Sequence, residues 1–401
     1  MKKNLIFLMV FFSSLISVAS SELAEKWFQT GLNYANGDGV EKDQAEAVRW
    51  YRKAAEQGYV EAQDRIGRCY YFGEGVKKNM VEAIKWCRKA AEQGLPSSQY
   101  LLGIYYLSDD CFEKDPDEAA KWFWKAAEQG FAAAQFNIGR CYKYGCGVKM
   151  DSVKAVKWYR RAAEQGNADA QEGLGLCFAC GEGVEQDWVE AVRWFRKAVE
   201  QGSVGAQYNL GFCYFNGKGV EKNIVEAVRW YRKAAEEGDA AEEGVIKAQM
   251  NLGNCYYNGD GVKKNMVEAA RWYRKAAERG SAIAQASIGR CYVHGDGVKK
   301  DLFEAVKWYR KAAEQGHAHA QHVLGVCYYD GGGVEKDPKE AVKWFRKAAE
   351  QGNADGQYWL GFCYFFGNGV RMDHEEGVRW CRKAAAQGHD KAKRTLEYFG
   401  M

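Results

Sequence analysis

Thirteen cysteines and six histidines are the residues of this 401-residue chain best suited to redox, metal or nucleophilic chemistry. Eight of the cysteines, Cys69, Cys141, Cys177, Cys213, Cys255, Cys291, Cys327 and Cys363, hold one place in a repeating pattern. Equivalent atoms in neighbouring stacked helices lie roughly 9–10 Å apart, whereas a disulfide needs Cα atoms within about 7 Å. This column therefore cannot pair with itself, and it reads as small buried hydrophobes. Cys87 and Cys381 each follow a column cysteine by 18 residues. That makes Cys69–Cys87 and Cys363–Cys381 candidate disulfides, each joining the two helices of one unit. Cys111, Cys146 and Cys180 sit in or near turns, and their pairing is open. Cys177-Phe178-Ala179-Cys180 has the C-x-x-C spacing but ends a helix instead of opening one, which argues against thioredoxin-like chemistry.

Three of the histidines crowd into His317-Ala318-His319-Ala320-Gln321-His322. His319 and His322 lie one helical turn apart, close enough to share a metal ion. No cysteine or carboxylate stands near them at ligand spacing, so neither metal nor cofactor is expected. Glutamates recur identically along the chain, which marks them as structural and not as a catalytic pair. Nucleophile elbow, Walker loop, dinucleotide fingerprint and zinc-protease motif are all missing. No catalytic residue is assigned, and an enzyme is not expected.

The elements that position these residues are set by a beat of ten tryptophans: Trp50, Trp86, Trp122, Trp158, Trp194, Trp230, Trp272, Trp308, Trp344 and Trp380. Every interval is 36 residues except the 42 between Trp230 and Trp272. A fixed period of this length signals a stack of one small unit. In the unit from Tyr59 to Gly94, small or apolar Ala62, Ile66, Gly67 and Tyr70 have helical spacing. Gly73-Glu74-Gly75-Val76 then reverses the chain. Asn79 with Glu82 reads as a capping box opening a second helix, which closes at Gly94. The six extra residues fall near 239–246 and read as a tolerated surface bulge between repeats.

These residues resemble the Sel-one-like repeat (SLR) family, relatives of the tetratricopeptide repeat. The shared pattern is Ala-x-x-Leu-Gly-x-x-Tyr, Gly-x-Gly-Val, Asp-x-x-Glu-Ala and Trp-Tyr-x-Lys-Ala-Ala-Glu-Gln-Gly, and it occurs ten times. The resemblance implies an all-α, right-handed α/α solenoid (superhelix) of about ten 36-residue helix-turn-helix repeats over 20–388. A capping helix is expected over 389–401. Asp109-Asp110-Cys111-Phe112 departs from the turn pattern in the third repeat. The cysteine pair spaced eight apart in cysteine-rich bacterial relatives is missing, so their penicillin-interacting, β-lactamase-like activity is only the alternative reading. A periplasmic regulator of a membrane sensor is another.

In tetratricopeptide-like arrays the first helices line a concave groove, and the resemblance carries that expectation here. Positions that vary between repeats define a stripe at i, i+4 and i+7 on the first helices. Its candidate partner-binding residues are Arg68, Tyr71, Tyr100, Phe136, Arg140, Tyr208, Phe212, Phe215, Tyr257, Arg290, Tyr329, Tyr358, Phe362 and Phe365. Aromatic and arginine anchors of this kind suit a protein or peptide partner. The net charge is +4, or 4 − 2 = +2 without Lys2 and Lys3, and it is evenly mixed. Such a balance leaves no electrostatic footprint for nucleic acid.

Met1-Lys2-Lys3, an apolar run from Leu5 to Ile16 and Ser17-Val18-Ala19 together read as a signal peptide over 1–19. The run is too short for a comfortable membrane span. The expected protein is an exported, monomeric interaction scaffold, periplasmic or secreted.

Overall fold

The computed structural model describes residues 20–108, 114–237 and 243–400, all helix and connecting turn without a strand. The chain divides into two compact units at Gln201/Gly202. In the first, α1 covers 20–36 and is followed by α2 (Gln44–Glu56), α3 (Val60–Phe72), α4 (Met80–Glu92) and α5 (Pro96–Leu107). It continues with α6 (Pro116–Glu128), α7 (Ala132–Tyr144), α8 (Ser152–Glu164), α9 (Ala168–Cys180) and α10 (Trp188–Glu200).

The second unit opens with α11 (Val204–Asn216), α12 (Ile224–Glu237), α13 (Glu243–Asn258), α14 (Met266–Glu278) and α15 (Ala282–His294). It ends with α16 (Leu302–Glu314), α17 (Ala318–Asp330), α18 (Pro338–Glu350), α19 (Ala354–Phe366), α20 (His374–Ala386) and α21 (Asp390–Tyr398). Within each unit consecutive helices pack as antiparallel hairpins stacked in chain order.

Close approach of the two helices of a hairpin is bought by one glycine per first helix. A Cβ on Gly103 would stand 2.4 Å from the Phe123 ring, and one on Gly139 2.7 Å from the Tyr159 ring. The large ring fills the space that glycine leaves; Phe123 is wholly buried, which is worth about 2–3 kcal/mol. The second turn glycine works between repeats. Gly75 has φ +68°, and a Cβ there would meet the Gln44 carbonyl oxygen at 2.1 Å.

The second helices open on Asp or Asn caps, as at Asn79, whose Oδ1 accepts from the Glu82 N–H at 3.2 Å. The reciprocal half of the expected capping box is not made. The Asn79 N–H already donates to the Tyr70 carbonyl at 2.9 Å, so Glu82 is released to accept from Lys85 Nζ and Trp86 Nε1.

Repeats are tied together by a glutamine ladder. Gln135 donates to the Ala127 carbonyl and accepts from Gln165, and Gln321 does the same with Ala313 and Gln351. Side-chain bonds from Arg274 to Tyr292 and from Arg346 to Tyr364, each 2.7 Å, add a second tie.

The insertion is not all surface bulge. α13 is 16 residues long where most helices have 13, so the extra residues include a helical extension. Val245 in that extension is fully buried, packed against Val204, Val228 and Leu252. The expected leader over 1–19 and the atypical turn at Asp109–Phe112 lie outside the described residues. No described helix is long and apolar enough to cross a membrane.

Candidate binding face on the first helices

On several first helices a stripe ring packs against its own repeat and is partly exposed. Tyr100, Phe136 and Tyr208 rest against the second-helix rings Phe123, Tyr159 and Tyr231 at centroid distances of 5.9, 5.7 and 5.9 Å. One ring face is thereby committed to the fold. Phe212 is 38% exposed, and Arg140 and Arg290 are exposed as well.

Two open cavities lie on this face, one in each unit. The first, ≈240 Å³, is lined by Phe136, Arg140, Lys143, Asp169, Glu172 and Leu176 among others. Arg140 lies over the Phe136 ring at 5.9 Å. The second, ≈310 Å³, sets Phe212 and Phe215 beside Asn216, Asn251, Asn254 and Asn258. Asn216 and Asn258 already donate to the Phe212 carbonyl and to Asp260, and Asn254 accepts from Tyr273; the amide donors and acceptors that remain, set against two rings, suit a polypeptide backbone with apolar side chains. Next to it, Arg290 lies 4.6 Å over the Tyr257 ring.

Several stripe residues are spent on the fold. Phe365, expected in the groove, is 2% exposed. Its ring stacks on Phe399 just beyond α21, at 4.5 Å and 11°, so the last helix covers it. Tyr71 stacks on Tyr105 of the next repeat at 4.5 Å, which shows that the i+7 row leans toward the neighbour. Arg68 pairs with Asp64 at 2.7 Å, and Asp64 also accepts from Ser98 Oγ at 2.6 Å. Tyr329 accepts from Asn368 and lies 5.3 Å from the Trp359 ring, while Phe362 lies between Tyr358 and Phe366. Trp359 belongs to this aromatic cluster although its spacing places it off the stripe.

The candidate disulfides are not formed: Cys69, Cys87, Cys363 and Cys381 are free, buried thiols. The reason is helical phase. Residues two apart on a helix point almost oppositely, and it is Gly67, not Cys69, that receives the Cys87 sulfur. Cys69 packs with Tyr51, Ile66 and Trp86, whereas Cys87 packs with Leu102 and Tyr105. Cys363 and Cys381 are divided likewise, against Phe345 and Leu360 in one case and Phe365 and Leu396 in the other. Burial pushes the Cys87 and Cys363 thiols up to about 12, so they stay protonated and unreactive near neutrality. Cys146 and Cys180 are exposed free thiols, and Cys111 lies outside the described residues.

The histidine group gains a member that local spacing could not show. Asp355, on α19, brings a carboxylate oxygen within 4.8 Å of the ligand nitrogens of His319 and His322 on α17. The signal was one repeat away: 355 − 319 = 36, so Asp355 holds the same repeat position as His319. Both ring nitrogens of His322 are buried and lack a hydrogen-bond partner among the described residues. Burial pushes its pKa down to about 4; Asp355 opposes this shift, and His319 and His389 add to it.

Stacked α/α hairpins without a strand among the described residues define the class: an all-α repeat solenoid. The Sel1 repeat model matches ten times, at 28–59, 60–95, 96–131, 132–167, 168–203, 204–239, 246–281, 282–317, 318–353 and 354–389. The chain belongs to the Sel1 repeat family. A protective antigen of uropathogenic Escherichia coli with an SLR fold is 37% identical, with a TM-score of 0.72 over 93% of this chain and 80% of that one. A Sel1 repeat protein from Oxalobacter formigenes is 34% identical, with a TM-score of 0.57 over 80% and 92% of the two chains. None of the curated proteins matches. Sel1 repeats commonly serve as scaffolds for protein–protein interaction, and their solenoid is typically non-catalytic.

Proposed function

We propose that this chain is an exported scaffold that holds a partner protein by an extended segment laid along the first-helix face. The observation that carries this reading is the Phe212/Phe215 cavity with its four asparagines. Rings whose inner faces are already fixed lose little entropy on binding, and amides can accept and donate to a peptide backbone without demanding one sequence. The leader at 1–19 supports export, and so does the likeness to a protective antigen.

The test is selection from a displayed library of random peptides against the full chain, followed by affinity measurement. Phe212→Ala and Phe215→Ala, both in the cavity of the second unit, are expected to weaken the selected peptides at least tenfold. Phe303→Ala, at a second-helix ring 70% exposed, should leave them unchanged. The reverse pattern, with Phe303→Ala destructive and the other two silent, would move the binding face to the second helices. N-terminal sequencing of the protein recovered from envelope and medium checks export: a start near residue 20 is expected, and an intact Met1 in the cytoplasm would refute it.

A further inference from the structure

His319, His322 and Asp355 converge from adjacent first helices, with ligand atoms all within 4.8 Å of one another. Two imidazoles and one carboxylate are the donor set of a zinc-class ion. A tetrahedral ion holds its donors about 2.1 Å away and roughly 3.4 Å from each other, so small side-chain rotations close the site. His322 supplies the independent observation. A ring nitrogen shut off from solvent normally finds a hydrogen-bond partner, yet neither nitrogen of the half-buried His322 has one among the described residues.

The surroundings complete the design. His389 Nδ1 accepts from the Ala392 N–H at 3.1 Å, which leaves the ring proton on Nε2. That nitrogen stands 3.2 Å from Asp355 Oδ1, so His389 donates to the carboxylate and orients it, as outer partners of metal ligands do. Tyr358 stacks on His389 at 4.7 Å and 24°, holding its ring plane. His317 is excluded from the set, because its Nδ1 caps α17 by accepting from Ala320 N–H at 3.1 Å.

We infer that His319, His322 and Asp355 form a site for a zinc-class divalent transition ion, with His389 as the positioning residue for Asp355. Three protein ligands leave one coordination position for water or an incoming donor. The site is complete within this chain and does not depend on the peptide reading above.

The chain itself supplies substitutions that its repeats tolerate. Ala133 and Ala286 stand where His319 and His322 do, and Asn353 caps α19 where His389 caps α21. The full chain is titrated with Zn²⁺ by calorimetry and with Co²⁺ by visible absorption. One ion per chain is expected, with cobalt bands of a tetrahedral nitrogen and oxygen site. His322→Ala and Asp355→Asn should each weaken binding at least about a hundredfold, and His319→Ala a comparable amount. His389→Asn keeps the cap but not the bond to Asp355, and should cost about 10–100-fold. His294→Ala, at an exposed histidine elsewhere, should change nothing. Absence of binding, binding unaltered in His322→Ala and Asp355→Asn, or a thiolate-to-cobalt charge-transfer band would each overturn the assignment.

Discussion

Two places on the first-helix face are the same place in their repeats but hold different chemistry. In the first unit, Phe136, Arg140 and Asp169 line one cavity. In the second unit, the same positions 186 residues later are His322, Val326 and Asp355 (322 − 136 = 326 − 140 = 355 − 169 = 186). Both carboxylates sit on the first turn of a first helix. Beside Asp169 the cavity carries the Arg140 guanidinium. At the corresponding place Val326 brings no charge, and two imidazoles face the acid instead. The difference teaches that the repeat frame decides where a side chain points, while the residues that fill it decide what chemistry the place can offer.

The frame common to both places makes the largest prediction. Burial raises Cys141 and Cys327 from the ordinary value near 9 to about 11, and the other column thiols behave alike. Because the folded value lies above the unfolded one, the stability from keeping these thiols neutral is complete below about pH 9. It is lost as pH rises through about 11. Thermal melts from pH 7 to 11 should show a cumulative fall of several kcal/mol across both units; a flat profile would break the claim of a shared thiol column.

The contrast itself is tested by exchange. Val326→Arg places a cation beside Asp355 and should lower zinc affinity at least about a hundredfold by calorimetry, which is about 2.7 kcal/mol. Combining Ala133→His, Phe136→His and Arg140→Val should raise the zinc stoichiometry from one to two. A stoichiometry that stays at one would show that more than these positions separates the two places.

A smaller effect probes whether the hairpins beneath are equivalent. A Cβ at Gly139 would lie 2.7 Å from the Tyr159 ring, and one at Gly325 2.6 Å from the Phe345 ring. Gly139→Ala and Gly325→Ala should each cost about 1–3 kcal/mol in urea denaturation. A marked inequality between them would deny the common frame.

The smallest effect falls where the frame differs. Arg279 stands where the ladder has glutamine (249 + 30 = 279, as 135 + 30 = 165). Gln249 Oε1 and Arg279 Nη1 are both left buried without partners among the described residues. Arg279→Gln restores the bond and should stabilise the second unit by about 1 kcal/mol in the same denaturation assay.

Periodicity within one chain made the fold legible before any coordinates. Trp, Gly, Asp/Asn caps and the cysteine column all recur in register, and each has a local reason to be there. The site was less legible, because face assignment on a helix depends on what lies across from it. The i+7 row read as open, yet Phe365 lies under α21 and Tyr71 under the next repeat. Trp359, one residue off the row, joins the aromatic cluster.

What the sequence by itself determined is the repeat: its length, its two helices, its caps and the positions that must be small. These follow from interactions within about one repeat of chain, where spacing and distance are nearly proportional. What only the tertiary structure decided is which side chains from different repeats meet. Cys69 and Cys87 share a hairpin but face different cores. His319 and Asp355, 36 residues apart, bring their donor atoms within 4.8 Å of each other because stacking places equal repeat positions side by side. Helical phase and stacking distance set those meetings, and neither is written in the spacing of residues along a single helix.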